Sequence, residues 1–394
     1  MDYRETEEQK MIRQMTREFA QNEVKPICQE YDKKLDPKEC YPWELLKKAS
    51  SLGLRTLSVP AEYGGGGIND LITYIIMCEE LAAGDHGFAN SIKHVLENVA
   101  LMNVFGNKQQ KDEWFPKIVE DDRYLIAFGM SEPNSGTDNY LMDDVPGAAM
   151  QTFAERRGDE YIINGSKQFI SNGGIAKLII LNARTDKKLS LNQCRSQFLV
   201  SADLPGFSVG RFHDKLGRRC LITAELFFEN MRIPARQLLG KEGGATKHVV
   251  AAPFTLFLLC ACTIGLLREI YDVSVDYASK RVQGGKPILQ HQLIARHLSE
   301  MRIRIESVRQ MLYRQAWCWQ NKYDYDPKLT VLLKSYIDQC ASQIVSQMND
   351  ICGGMGSDKE MITEKYIRDT FTALHGPSIG QGLIRGAPGW ALDT

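Results

Sequence analysis

The sequence lacks the marks of several common classes of protein. It has no GxGxxG, and no GK[ST] follows its run of four glycines at 64–67. A dinucleotide-binding turn and a phosphate loop are therefore excluded, and the glycine run reads as a flexible turn between two helices. None of its ten cysteines forms a CxxC pair. Cys260 and Cys262 point to different sides of a helix, and neither has a His at metal spacing. No metal is expected, and the thiols read as free and buried in a reducing cytoplasm. Charge of one sign is lacking too: 48 Lys and Arg against 49 Asp and Glu leave a net −1. That removes the electrostatic case for nucleic acid or an anionic membrane surface. The opening MDYRETEEQK is charged, unlike a secretory signal. Only one long apolar run exists, VVAAPFTLFLLCACTIGLL. It has no second span and no basic flank, so a helix buried on all sides is expected, with no membrane association.

What is present is ordinary globular composition, with 43% apolar and 25% charged residues over 394 positions. That length supports two or three packed units. Met11, Ile12, Met15, Phe19, Val24 and Ile27 recur at helical spacing and predict a helix over 5–33. Further helices are predicted over about 42–53, 69–83, 88–104 and 108–119. Near residue 125 the period changes. Short β-rich runs follow, among them RYLIAFGMSE, AKLIILNART and TAELFFENMRIPA, and RRGDEYIING reads as a hairpin. Helices resume over about 246–281, 288–321, 327–351, 361–375 and from 378, long enough for an antiparallel bundle. The expected fold is α+β, mainly α: an N-terminal helical domain (1–122), a central β-barrel (123–240) and a C-terminal four-helix bundle (241–394).

Two loops carry groups suited to a ligand. FGMSEPNSGTD (128–138) is a strand running into small residues, where Gly136 permits close approach and Ser131 and Thr137 offer hydroxyls beside free amides. KQFISNGG (167–174) sets an aromatic next to another hydroxyl. With DEYIINGSKQFISNGG, RVQGGKPILQHQ and ICGGMGSDKE…KYIRDT, these segments resemble in order and spacing the motifs of the acyl-CoA dehydrogenase family, over essentially the whole chain. The resemblance implies FAD as cofactor, an acyl-CoA substrate, a homotetramer and electron-transferring flavoprotein as electron acceptor. It implies that Phe128, Met130, Ser131, Gly136 and Thr137 lie along the flavin, with Thr137 also touching the CoA portion. Phe169, Ile170 and Ser171 would flank the ring. Arg281 and Gln283, with His291 and Gln292 near them, would reach the diphosphate and adenine side from a neighbouring subunit. Gly353 and Gly354, with Asp350 just before them, would meet the cofactor's backbone-facing side.

The sequence departs from the family pattern at the base. Where the family has Tyr-Glu-Gly-Thr, this chain has Leu374-His375-Gly376-Pro377. Some members carry the Glu on the helix that here reads APFTLFLLCACTIG, and the aligned residues are Thr255 and Leu256. Gly284 replaces an aromatic, Asp350 replaces a Gln, and NYLMDDVPGAA is an extra stretch after the flavin loop. Two groups remain as catalytic candidates. His375 occupies the base position, and imidazole titrates at about 6.5. Glu97 shares a helix face with Asn90 and His94, at spacings of four and three. Buried beside the acyl pocket it would be a base with a raised pKa or an anchor for a polar acyl group. Asn90 and Thr255 are the further substrate contacts. The expected activity is α,β-dehydrogenation of an unusual acyl-CoA, cyclic or branched, or a 1,4-type oxidation or the reverse reduction. Two alternatives stay open: a half-site subunit completing a partner's FAD site, and a flavin monooxygenase on the same fold.

Overall fold

The computed structural model describes residues 4–140 and 145–374, less the side chains of Thr137, Tyr140 and 249–251. The N-terminal helices are α1 (Glu7–Phe19), α2 (Lys25–Tyr31), α3 (Trp43–Ser51), α4 (Leu71–Gly84), α5 (His86–Phe105) and α6 (Lys108–Glu120). A π turn, Ala20–Val24, joins the first two, so the predicted 5–33 helix is nearly continuous. Thr6 opens α1 with a capping box to Gln9, Asp70 opens α4, and Asp85 caps α5 through the Phe88 amide.

Eight strands follow: β1 (Ile126–Gly129), β2 (Phe153–Arg157), β3 (Glu160–Ser171), β4 (Leu178–Arg184), then after the short α7 (Leu191–Cys194), β5 (Arg195–Ser201), β6 (Phe207–Phe212), β7 (Thr223–Pro234) and β8 (Leu238–Leu239). They form one sheet in the order β6-β7-β3-β2-β4-β5-β8, with β1 parallel to β4. The expected barrel is thus a sheet whose hydrogen-bonded path runs from β6 to β8, and no ladder joins those two ends among the described residues. The predicted hairpin is present, pairing Arg157 with Glu160 across Gly158, which adopts φ +60°.

The helices that resume are α8 (Ala245–Ala251), α9 (Phe254–Lys280), α10 (Gln292–Gln320), α11 (Pro327–Cys352) and α12 (Ile362–Leu374), with a small ribbon, β9 (Val282–Gln283) and β10 (Lys286–Pro287), before α10. The single helix expected over 246–281 is broken at Ala252-Pro253. Proline has no N–H and pushes the preceding residue out of the helical region, and Ala252 sits at φ −135°, ψ 76°. The helix expected from 378 lies outside the described residues.

The long apolar run is the core helix α9. It is the one described helix long and apolar enough to cross a membrane, and 83% of its most apolar window is buried inside the protein. It packs on α4, α5, α10 and α11. Its approach to α4 is so close that a Cβ on Gly265 would meet the Glu79 carbonyl at 2.1 Å. The four-glycine run is not the flexible turn the sequence implied. Gly66 and Gly67 donate to the Thr56 and Val59 carbonyls at 3.1 and 2.8 Å, and a Cβ on Gly65 would strike Val59 O at 2.3 Å. The glycines are there so that the loop can pack flat on its own preceding segment. All ten cysteines are free and buried.

Candidate functional site

The two ligand loops meet at the open end of the sheet. The Ser131 carbonyl accepts the Gln168 amide at 2.8 Å, so the segment after β1 is tied directly to β3. A second tie lies beneath it. Lys167, fully buried, donates from Nζ to the Met130 carbonyl (3.1 Å) and to Glu132 (2.8 Å). Glu132 in turn accepts the backbone amides of Gln151 and Thr152, at 2.6 and 2.9 Å. Burial pulls the Lys167 ammonium down to about 8 although Glu132 holds it up. Phe128 and Met130 pack with Met150 and Leu191 in a small apolar cluster.

At the end of β3 the ladder to β7 slips between Lys167 and Ile170. The slip puts Phe169 at φ +58°, which throws its ring outward to 61% exposure, stacked on His213 at 4.4 Å. A bulky residue in the left-handed region is unusual and concentrates at functional sites. Ile170 turns inward and is buried, while Ser171 is half-exposed and pairs with Thr223. The Gly136 amide is not free as the sequence implied, because Asp138 Oδ1 accepts it at 2.6 Å. Open space does surround Gly136, with no atom within 4 Å of an added Cβ. Thr137 begins a 3-10 turn, Thr137–Tyr140.

The helix α5 is bolted to this end of the sheet. Ser91 Oγ donates to Asn172 Oδ1 at 2.7 Å, and Asn172 Nδ2 donates to the carbonyls of Ser91 and Ile126, each at 3.1 Å. On the same helix Asn90 and Glu97 are both buried. Glu97 is not the raised-pKa base expected of an isolated buried carboxylate. Lys93 Nζ stands 2.8 Å from one oxygen and His94 Nδ1 2.6 Å from the other. Burial pushes the carboxyl up, but the adjacent Lys93 charge and then His94 outweigh it and bring it to about 2. Burial and Lys93 hold the His94 imidazole below its ordinary value. It therefore sits neutral, with its Nδ1–H on Glu97 and Nε2 left as an acceptor. Thr255 lies half-buried at the start of α9. His375 lies outside the described residues.

The residues assigned to the far end of the cofactor stand elsewhere. Arg281, Gln283, Gln292, Asp350, Gly353 and Gly354 are all exposed, and His291 donates a ring N–H to the Gln283 carbonyl at 3.0 Å. An added Cβ would meet nothing within 4 Å at Gly353 or Gly354. Sequence reasoning missed Lys167, Glu132 and Asn172, the residues that lock the two loops together and to α5. An isolated Lys or Asn in a strand end carries no spacing signal. Three potential metal-ligand atoms, from Cys28, Asp85 and Cys220, lie within 4.8 Å of one another, but Lys365 already holds the carboxylate at 2.7 Å.

Comparison with known proteins agrees with this architecture. Three family models match: the acyl-CoA dehydrogenase N-terminal domain over residues 6–122, the middle domain over 127–231 and the C-terminal domain over 254–377. The chain is 34% identical over 375 residues to the short-chain specific acyl-CoA dehydrogenase of Clostridium acetobutylicum, covering 94% of each. The butyryl-CoA dehydrogenase of Megasphaera elsdenii superposes with a TM-score of 0.89 at 30% identity, covering 98% of this chain and all of the other. A structure described as the electron transferring flavoprotein of Acidaminococcus fermentans holds a chain with TM-score 0.89 and 30% identity, with full coverage of both.

Proposed function

The chain belongs to the acyl-CoA dehydrogenase family and is an FAD-dependent oxidoreductase, and from that premise we propose that it removes two hydrogens from the α and β carbons of a CoA thioester. The observation that carries the reading is the junction of the two loops with α5. Ser131 and Ser171, on segments tied by the 2.8 Å Ser131–Gln168 bond, flank an outward-turned Phe169, and the helix carrying Asn90 and Glu97 is fixed to the same point through Asn172.

These residues fit a flat cofactor. Phe169 offers an aromatic face, Ser131 and Ser171 offer hydroxyls, and Gly136 leaves open the space a side chain would fill. The flavin supplies the hydride-accepting ring when bound. Arg281, Gln283 and Gln292, exposed in the single chain, suit a homotetramer in which they serve a neighbouring subunit's cofactor. Electron-transferring flavoprotein is the electron acceptor that this family assignment supports.

The proton at the α carbon falls to an imidazole. His375 takes it by its place in the sequence, and His94 is the second reading, favoured by the Glu97 contact that fixes its tautomer and leaves Nε2 free to accept. Glu97 then orients and compensates rather than accepting the proton itself. The test is anaerobic bleaching of the flavin by acyl-CoAs, with His375→Gln and His94→Gln compared to the parent. The residue whose loss slows bleaching by about a hundredfold or more is the base. Protein that takes up FAD but is bleached by no acyl-CoA refutes the reading. Flavin bound only after a homologous chain is added indicates the half-site subunit, and oxygen consumption by the reduced flavin with substrate oxygenation indicates the monooxygenase.

A further inference from the structure

The interior holds a cation whose guanidinium makes no hydrogen bond or ion pair with a described side chain. Arg218 lies between β6 and β7 and is 6% exposed. Its backbone is pressed onto α5, where a Cβ on Gly87 would come within 3.1 Å of the Arg218 carbonyl, and its amide donates to Asp369 of α12. No hydrogen bond or ion pair joins its guanidinium to any described side chain, and its buried Nε has no acceptor. The carboxylates whose charge bears on it, Asp369 and Asp85, are taken, since both hold Lys365.

Two more buried side chains with unpaired atoms lie on the helix that Arg218 abuts. His86 is fully buried, and neither ring nitrogen has a partner among the described residues. Asn90, one turn on, donates to the His86 carbonyl at 2.7 Å, but its own Oδ1 is unpaired. His86 adjoins Gly87 in the chain, so the backbone contact at Gly87 sets the Arg218 turn beside the start of α5.

We infer that Arg218, His86 and Asn90 form a seat for a carboxylate carried on the acyl group, so that the substrate is the CoA thioester of a carboxyl-bearing acid. This rests on the reading of the chain as an acyl-CoA dehydrogenase. Buried polar groups in native proteins are nearly always paired, and an unpartnered guanidinium and an unpartnered imidazole on adjoining segments point to a missing partner. A guanidinium fork matches the two oxygens of a carboxylate, a neutral imidazole adds one more N–H, and Asn90 Nδ2 has a second N–H beyond the one held by the His86 carbonyl. A methyl-ended acyl group would leave these donors desolvated and unsatisfied.

The experiment titrates flavin-loaded protein anaerobically with two length-matched pairs, pentanoyl-CoA against glutaryl-CoA and heptanoyl-CoA against pimeloyl-CoA, following binding by the flavin difference spectrum and reduction by bleaching. The carboxyl-bearing member of at least one pair is expected to bind more tightly by about a hundredfold, and Arg218→Met to bring that ratio to about one or below. Equal or weaker binding of both carboxyl-bearing thioesters overturns the inference, even if the methyl-ended ones bleach the flavin and so uphold the dehydrogenase reading. A carboxylate preference without bleaching upholds the seat and counts against the dehydrogenase reading. If Arg218→Met fails to fold, Arg218→Lys and His86→Gln decide: an undiminished ratio in both overturns the assignment of these residues.

Discussion

Two clusters of buried polar groups lie on neighbouring helices, and they are built to opposite rules. On α4, Glu79 and Glu80 are almost wholly buried and fully paired. Glu79 accepts Arg268 (2.6 Å), Arg309 (3.0 Å) and Tyr313 (3.0 Å). Glu80 accepts Arg17 and Arg268, each at 3.0 Å, and Arg13. On α5, near the Arg218 turn, both ring nitrogens of His86 and the Oδ1 of Asn90 have no partner among the described residues. The first cluster ties α1, α4, α9 and α10 together and leaves no atom for a ligand. The second ties nothing together and has atoms to spare. A satisfied buried network is part of the scaffold, whereas an unsatisfied one at the edge of a catalytic junction is where a substrate belongs.

That contrast can be broken by substitution. Glu79→Ala should show the largest effect, because it takes the carboxylate from Arg309 and Tyr313 and leaves Arg268 with Glu80 alone. Removing one partner of a buried ion pair costs about 3–5 kcal/mol, to be read as a lowered denaturant midpoint. An unchanged midpoint would mean that the α4 cluster is not holding the helices. Glu97→Gln should cost less, about 1–3 kcal/mol, since the amide still bonds His94 but leaves Lys93 without its charge partner. It should also slow flavin bleaching by weakening the hold on the His94 tautomer. Turnover equal to the parent at every pH would remove Glu97 from the proton path.

The smaller sharpening comes from pH. In the folded protein Glu80 titrates at about 2, because Arg17, Arg268 and Arg13 outweigh the upward push of burial, against 4.5 for an ordinary glutamate. A depressed folded value means that the stabilisation is fully present above about 4.5 and is lost as pH falls towards 2. Acid titration of the thermal midpoint should therefore fall through that window, and more shallowly in Glu80→Gln. A parallel fall in the two proteins would assign the acid sensitivity to other carboxylates.

Much of the scaffold was legible because it is periodic. The helices of both ends and the Arg157–Glu160 hairpin follow from apolar spacing and a turn glycine. The break at Pro253 was legible too but was overridden by the apolar run around it. What spacing could not convey was tertiary. The four glycines looked flexible because nothing in sequence shows Val59 and Leu57 lying under them. Glu97 looked like a raised-pKa carboxylate because the helical face drawn through Asn90 and His94 omitted Lys93, whose side chain reaches the same carboxylate from i−4. Lys167 and Asn172, which fix the two loops, are single polar residues with no pattern around them. Arg218 stood in a charged turn, LGRRC, where an exposed side chain is the ordinary outcome, and only the packing of that turn between α5 and α12 buries it.

The most direct measurement sets Arg218→Met beside Arg268→Met and compares their thermal midpoints with the parent in the flavin-loaded protein. Arg268→Met should lower the midpoint by about 5 °C or more, since it leaves Glu79 and Glu80 short of a buried cation. Arg218→Met should leave the midpoint unchanged or raise it, because it replaces an unpaired buried charge by an apolar side chain of similar length. A fall as deep for Arg218→Met as for Arg268→Met would contradict the account, for it would show that Arg218 holds the fold rather than waiting for a ligand.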